Sequence, residues 1–198
     1  MLSPLLANIY LHPLDQLLAD AGFAMVRYAD DFVILCKSRG EAEAALALVQ
    51  GWVSDEELTL HPTKTKIVDS RTEGFDFLGY RFQGKLKLPR KKSLKKFKDA
   101  VREKTKRTNG HCLPYVCARL SSQLRGWFTY FRHCQWSVFR DLDGWIRDRL
   151  RSILRKRIRK RGRALRVDHQ RWPNVFFQRH GLYSLSAAHV RYVQSSLR

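Results

Sequence analysis

The feature that most restricts this 198-residue chain is the way its charge is divided. Residues 1–80 hold six Lys/Arg and twelve Asp/Glu, whereas residues 81–198 hold thirty-two and six, so net −6 is followed by net +26. A segment that basic repels itself when compact unless a polyanion lies nearby. Nucleic acid is therefore the expected partner of the second part. An apolar content of 44% supplies one or two modest cores and argues against disorder throughout.

The apolar pattern changes where the charge does. Residues 5–19 carry Leu5, Leu6, Ile9, Tyr10, Leu14, Leu17 and Leu18 at helical spacing, with Pro13 expected to bend or reset the helix. Residues 24–28 and 32–36 are short and rich in β-branched and aromatic side chains, and Ala29-Asp30-Asp31 joins them as the acidic tip of a hairpin. A helix over 41–52 follows, then strands at 58–60, 66–68 and 75–82, the last broken by Gly79. Helix, hairpin, helix and strands in that order predict an α+β arrangement. The run GKLKLPRKK, residues 84–92, marks the boundary, giving domains 1–84 and 85–198.

No strand is expected beyond it. Ser93 is positioned to cap a helix bearing Leu94, Phe97 and Val101 on one face and lysines on the rest, ended by Asn109-Gly110. Apolar stripes predict further helices over 113–131 and 138–158, which bury against one another as a bundle. In the tail only a short helix over 186–194 is expected. The bundle would expose Arg147, Arg149, Arg151, Arg155, Lys156, Arg157, Arg159, Lys160 and Arg161 as a basic surface for phosphates. Trp127, Phe128 and Phe131 are assigned to the core, and Tyr130, Trp136 and Trp172 to possible stacking on unpaired bases.

Cys36, Cys112, Cys117 and Cys134 show no paired spacing and no secretory signal precedes them, so they are read as reduced thiols of a cytoplasmic protein without a structural zinc site. No run is long and apolar enough to suggest a membrane span, and no membrane role is expected.

Adjacent Asp30 and Asp31 at a hairpin tip suit Mg²⁺, which takes one or two carboxylates together with water and phosphate oxygens. An isolated Asp-Asp pair is more often a solvated turn, and context decides. SPLLANIYLHPLD, VRYADDFVIL, LTLHPTKTKIVD and FDFLGYRF follow one another within residues 3–82 and resemble the end of motif B and motifs C, D and E of group II intron reverse transcriptases. LRGWFTYFRHC, FRDLDGWIRDRLRSILRKRIRKRG and WPNVFFQRHGLYSL resemble that family's maturase-specific domain, or thumb, and the segment after it. The resemblance implies a partial reverse-transcriptase palm followed by an α-helical thumb/maturase bundle.

It further implies that Asp30 and Asp31 bind two Mg²⁺ ions and that Tyr28 and Ala29 lie near the primer end and the dNTP. Lys64, or alternatively Lys66, would stand by the nucleotide phosphates, and Phe77, Leu78, Gly79 and Tyr80 would form a primer-gripping turn. Solvated strand-edge charges and plain core packing are the competing readings of the lysines and of Phe77 and Tyr80. RNA would be bound by Lys91, Lys92, Lys95, Lys96, Arg125, Arg147, Arg151, Arg155 and Arg159. The implied partners are group II intron RNA, an RNA template and a DNA primer. The fingers, motif A and its metal-binding aspartate do not occur in this sequence, so the chain alone is expected to be polymerase-deficient unless an N-terminal fragment completes it. No HNH endonuclease is expected. Two other readings stay open: a non-catalytic splicing factor that keeps the palm as scaffold, and a general basic nucleic-acid-binding protein.

Overall fold

The structure, a computed structural model, describes residues 3–108, 110–160, 162 and 165–196. The helix expected to run to Asn109-Gly110 ends instead at Lys104, with Thr105 as its C-cap, and residues 105–108 are not helical; Asn109 itself and the surface position of Arg161 lie outside the described residues. Two compact units divide after Phe77, at residues 1–77 and 78–198.

In the first unit, α1 (Ser3–Asp20) leads into β1 (Ala24–Tyr28), β2 (Asp31–Leu35), α2 (Arg39–Asp55) and β3 (Phe75–Phe77). Leu14 and Leu18 of α1 and Val49 and Val53 of α2 form its core, and Met25, Phe32 and Ile34 of the hairpin pack against them. Period-2 alternation turns Met25 and Arg27 inward while Ala24, Val26 and Tyr28 stay exposed. α1 continues through Pro13 without a break. Ser38 caps α2, its Oγ accepting the Glu41 N–H at 3.2 Å.

The strands expected at 58–60 and 66–68 do not form. His61 O instead accepts the N–H groups of Lys64 and Thr65 at 3.2 and 3.0 Å, and Asp69 Oδ1 accepts the Arg71 N–H at 2.8 Å. These turns lie between and just after the two segments, and the Leu58 N–H itself goes to Val53 O at 2.8 Å rather than to a ladder.

The second unit opens with a hairpin, β4 (Tyr80–Gln83) and β5 (Leu86–Pro89), paired antiparallel from Tyr80↔Pro89 to Gln83↔Leu86. β5 falls where no strand was expected, because its lysines and closing proline read as a linker; Pro89 sits at the strand's last position, where a missing donor is tolerated. The helices follow as α3 (Lys91–Lys104), α4 (Leu113–Phe131), α5 (Trp136–Arg157), α6 (Arg166–Arg171), α7 (Asn174–Arg179) and α8 (Leu185–Ser196). Ser93 is not the cap of α3: Arg90 holds that position with no side-chain hydrogen bond, its own N–H donating to Gly79 O at 2.8 Å. One core joins Phe97 and Val101 of α3, Leu120 and Leu124 of α4, and Phe139, Ile146 and Leu150 of α5 to Phe177 and Leu185.

The tail is more ordered than its sequence suggested, since α6 and α7 bury only Asp168 and Phe177 and so show no periodic stripe. A buried carboxylate fastens α8. Asp143 of α5, 3% exposed, accepts the N–H groups of Leu185 and Ser186 at 3.0 Å each and the hydroxyls of Ser184 and Ser186 at 2.8 and 2.7 Å. It thereby satisfies two of the free N–H groups that begin α8, and Ser184 Oγ accepts the Ala187 N–H at 3.3 Å.

Candidate functional site

In the first unit, Tyr28 pairs with Asp31, which leaves Ala29 and Asp30 as a two-residue turn. Ala29 adopts φ +54°, the left-handed first turn position usually given to glycine. What holds it there is Arg27, which points inward from β1. Its Nε and Nη2 donate to Asp15 Oδ1 and Oδ2 at 2.8 and 2.5 Å, and its Nη1 donates to Ala29 O and Asn8 Oδ1 at 3.0 Å each. A planar guanidinium thus ties the turn to α1, a geometry lysine could not reproduce. The Arg27 hydrogen bonds hold the Asp15 carboxyl below its ordinary range, and Asp15 raises the Arg27 guanidinium in return. The sequence reading missed Asn8, Asp15 and Arg27, because a bidentate pair twelve residues apart leaves no local signature.

Asp30 and Asp31 are exposed at the tip, and Tyr28 beside them is 68% exposed. Two carboxylates on a fixed turn fit part of a Mg²⁺ shell, with water or phosphate oxygens for the rest. No group of three or more His, Cys, Asp or Glu side chains able to hold a metal forms among the described residues. Lys64 lies exposed on the His61 turn, while Lys66 pairs with Glu73 at 3.7 Å. Phe77, at the end of β3, is half-buried.

In the second unit, Leu78 and Gly79 turn with φ +45° and +79°. A Cβ at Gly79 would meet Ser93 Oγ at 3.4 Å and Phe131 at 3.7 Å, ordinary contact distances, so it is the positive φ that calls for glycine. Tyr130 Oη donates to Leu78 O at 2.7 Å, and Tyr80 donates to Tyr130 O. The Tyr80 ring lies 5.1 Å from Phe131, and burial pushes its hydroxyl up to about 12. Tyr80 thus packs against α4.

The basic residues sort into two groups. Lys91, Lys92, Lys95, Lys96, Arg125 and Arg159 are exposed. Lys95 lies 3.1 Å from Asp99, and Arg125 sits over the Tyr183 ring. Arg151, in contrast, is only 2% exposed and is not part of a surface. Its Nε donates to Trp172 O at 3.0 Å, Nη1 to Asp148 Oδ1 at 2.9 Å and Nη2 to Asn174 Oδ1 at 2.9 Å. Arg155 is turned to Asp168 at 2.8 Å, and Arg147, half-buried, lies 4.0 Å from Asp143. Arg149 donates to Thr105 Oγ1 at 2.6 Å and Arg157 donates to His111 O. The continuous basic surface expected along α5 is therefore interrupted, since Arg149, Arg151, Arg155 and Arg157 join α5 to neighbouring segments and Arg147 turns to Asp143 of its own helix.

Among the aromatics, Tyr130 and Trp136 are 54% and 43% exposed, whereas Trp172 at 9% is buried and unavailable for stacking on RNA. Trp127 is half-buried against the core, and Phe128 and Phe131 lie within it. Two aromatic sites were not anticipated. Trp145 has Lys98, Arg102 and Arg149 within 5.7 Å of its ring centre. Tyr115, 44% exposed, lies between His111 and Arg119 on a cavity of about 310 Å³. The cations around Trp145 come from helices α3 and α5 and converge only on folding, whereas Arg119 stands one turn after Tyr115 on α4 and His111 lies on the loop before it. Cys117 and Cys134 are buried, which pushes their thiols up to about 11 and about 12 and keeps them protonated packing groups.

No described helix is long and apolar enough to cross a membrane. No curated protein matches the chain. Residues 1–82 match the family model for reverse transcriptases, RNA-dependent DNA polymerases, and residues 94–172 match the group II intron maturase-specific domain. With these two matches in succession, covering most of its length, the chain belongs to the group II intron reverse transcriptase/maturase family.

Proposed function

We propose that this chain binds group II intron RNA through residues 85–198 and presents, from a palm segment spanning residues 1–84, two carboxylates for RNA-templated DNA synthesis. In the cytoplasm it would serve intron splicing and retrohoming. The observation that carries this reading is the excess of exposed cations on α3, on α4 and at the end of α5, in a segment, residues 85–198, holding thirty-one Lys/Arg against six Asp/Glu. Such an excess favours phosphate binding with counterion release.

Asp30 and Asp31 would hold the two Mg²⁺ ions of a polymerase site, where bound metal supplies Lewis acidity for an in-line displacement. Tyr28 and Ala29 would border the primer end and dNTP, and the turn of Leu78, Gly79 and Tyr80, with Phe77 before it, the primer strand. Lys64 would hold a proton for the departing pyrophosphate oxygen as the primer 3′-oxygen bonds to the α-phosphorus. Because only two carboxylates gather among the described residues, the chain by itself is expected not to extend a primer.

That same count favours a second reading, a splicing factor that binds intron RNA without polymerising. Primer extension on an RNA template with Mg²⁺ separates the two. The chain would be assayed alone and with a separately expressed fingers/motif A fragment of a relative. Activity only with the fragment, lost in Asp30→Ala, supports the polymerase reading. Silence in both arms with tight intron-RNA binding leaves the splicing factor, and failure to bind RNA refutes both.

A further inference from the structure

We infer that Arg107, Lys156, Arg159 and Lys160 form a seat for consecutive phosphates of an RNA backbone, built around a strained residue at the end of α5. These four side chains line a concavity of about 500 Å³. They come from two places in the sequence, Arg107 from the segment after α3 and the other three from the last turn of α5 and just beyond it. All four are exposed, and no hydrogen bond or ion pair engages their side chains among the described residues. Lys160 does act on the Asp168 carboxylate, but Asp168 is buried and already accepts from Arg155 and from the Leu165 N–H. Four like charges around one hollow repel unless an anion is shared among them.

Arg159 supplies a second, independent observation. α5 closes with the Lys160 N–H donating to Arg155 O at 3.0 Å and the Arg159 N–H donating to Lys156 O at 2.9 Å. In that closing turn Arg159 takes φ +59°, the position that helices usually give to glycine. A β-carbon is disfavoured there, and strained backbone of this kind collects at ligand-contacting sites. What the strain gains is a guanidinium on the hollow, which glycine would not provide.

Among the described residues the lining is wholly cationic, with no aromatic ring to stack a base, so recognition by these four side chains rests on phosphate. A free triphosphate shares that chemistry. An RNA backbone is favoured because these four side chains offer a nucleoside no stacking contact. This inference rests on the RNA-binding reading above.

The experiment measures affinity of the full chain for a structured intron RNA over a range of KCl concentrations, alongside Tm, for wild type, Arg159→Gly, Arg159→Lys and Arg107→Ala. Losing one phosphate contact lowers the slope of log K against log salt by about 0.9, which is about a fivefold loss of affinity at 0.15 M salt. Arg159→Gly is expected to show that loss while its Tm rises by about 2–4 °C, opposite signs that a purely structural residue would not give. Arg159→Lys should keep the wild-type slope and Tm, and Arg107→Ala should lose slope from a separate segment. A wild-type slope in both Arg159→Gly and Arg107→Ala overturns the seat. Displacement of the RNA by inorganic tripolyphosphate at equal phosphate concentration overturns its assignment to a backbone. If wild type itself fails to bind RNA, the RNA-binding reading has failed, an outcome distinct from loss of the seat.

Discussion

Replacing Arg151 with methionine should destabilise the second unit and leave its grip on RNA unchanged. The side chain is 2% exposed and makes three hydrogen bonds, to Trp172 O, Asp148 and Asn174. Methionine refills most of the volume and keeps contact with Phe177, whose ring lies 5.3 Å from the guanidinium. Asp148 is half exposed and Asn174 is exposed, so both rehydrate at little cost. The Trp172 carbonyl is different: in a buried residue it loses its charged donor, and a stranded buried acceptor costs about 1–3 kcal/mol. With some loss from the exposed partners the total is about 2–3 kcal/mol, or roughly 5–10 °C in Tm. Near-UV circular dichroism would follow the melt, and RNA affinity across salt concentrations would be measured well below it. An unchanged Tm with a slope reduced by about one unit would refute the reasoning and make Arg151 a phosphate contact after all.

Acid should weaken the second unit before it reaches the carboxylate range. Burial lowers the pKa of His133 and of His189, so each prefers to stay neutral in the folded chain. Their contribution is complete above the unfolded value of about 6.5 and is lost as pH falls through the lower folded values, so Tm should drop between pH 7.5 and 5. A flat profile, or one unchanged when both are replaced by Gln, would contradict this. In the first unit, Asp15→Asn removes the charged acceptor for Arg27 and should cost about 1–2 kcal/mol. Amide exchange at Ala29 and Asp30 should accelerate with it, and unchanged protection there would show that Arg27 does not hold the turn.

Much of this fold is written in short-range pattern. The stripe from Leu113 to Phe131 marks α4 to the residue, and Ala29-Asp30 interrupts two apolar runs where the hairpin turns. Patterns fail where an element is defined by what it meets. β5 looks like a linker because only a partner strand makes residues 86–89 extended. α6 and α7 each bury one side chain, too few for a period. For the candidate site, charge located the basic unit but could not say which guanidiniums point inward. Arg155 finds its acceptor, and Arg151 two of its three, on segments more than ten residues away. Asp30 and Asp31 were legible as a candidate pair at a hairpin tip; the Asp15–Arg27 clamp that holds their turn became visible only when α1 and β1 were brought together.

The fastening of α8 also sets a schedule for synthesis. Asp143 leaves the ribosome 41 residues ahead of Ser184, the first of its hydrogen-bond donors to follow. At about 5–20 residues per second that is an interval of about 2–8 s. Throughout it the carboxylate on α5 has none of these donors and must remain hydrated, which holds open the side of the helix that α8 will cover. Apolar groups on that side, Phe139 and Ile146 among them, wait with it. The nascent helices therefore offer an apolar surface among many cations for seconds, and a chaperone has that time to meet them before the last helix closes.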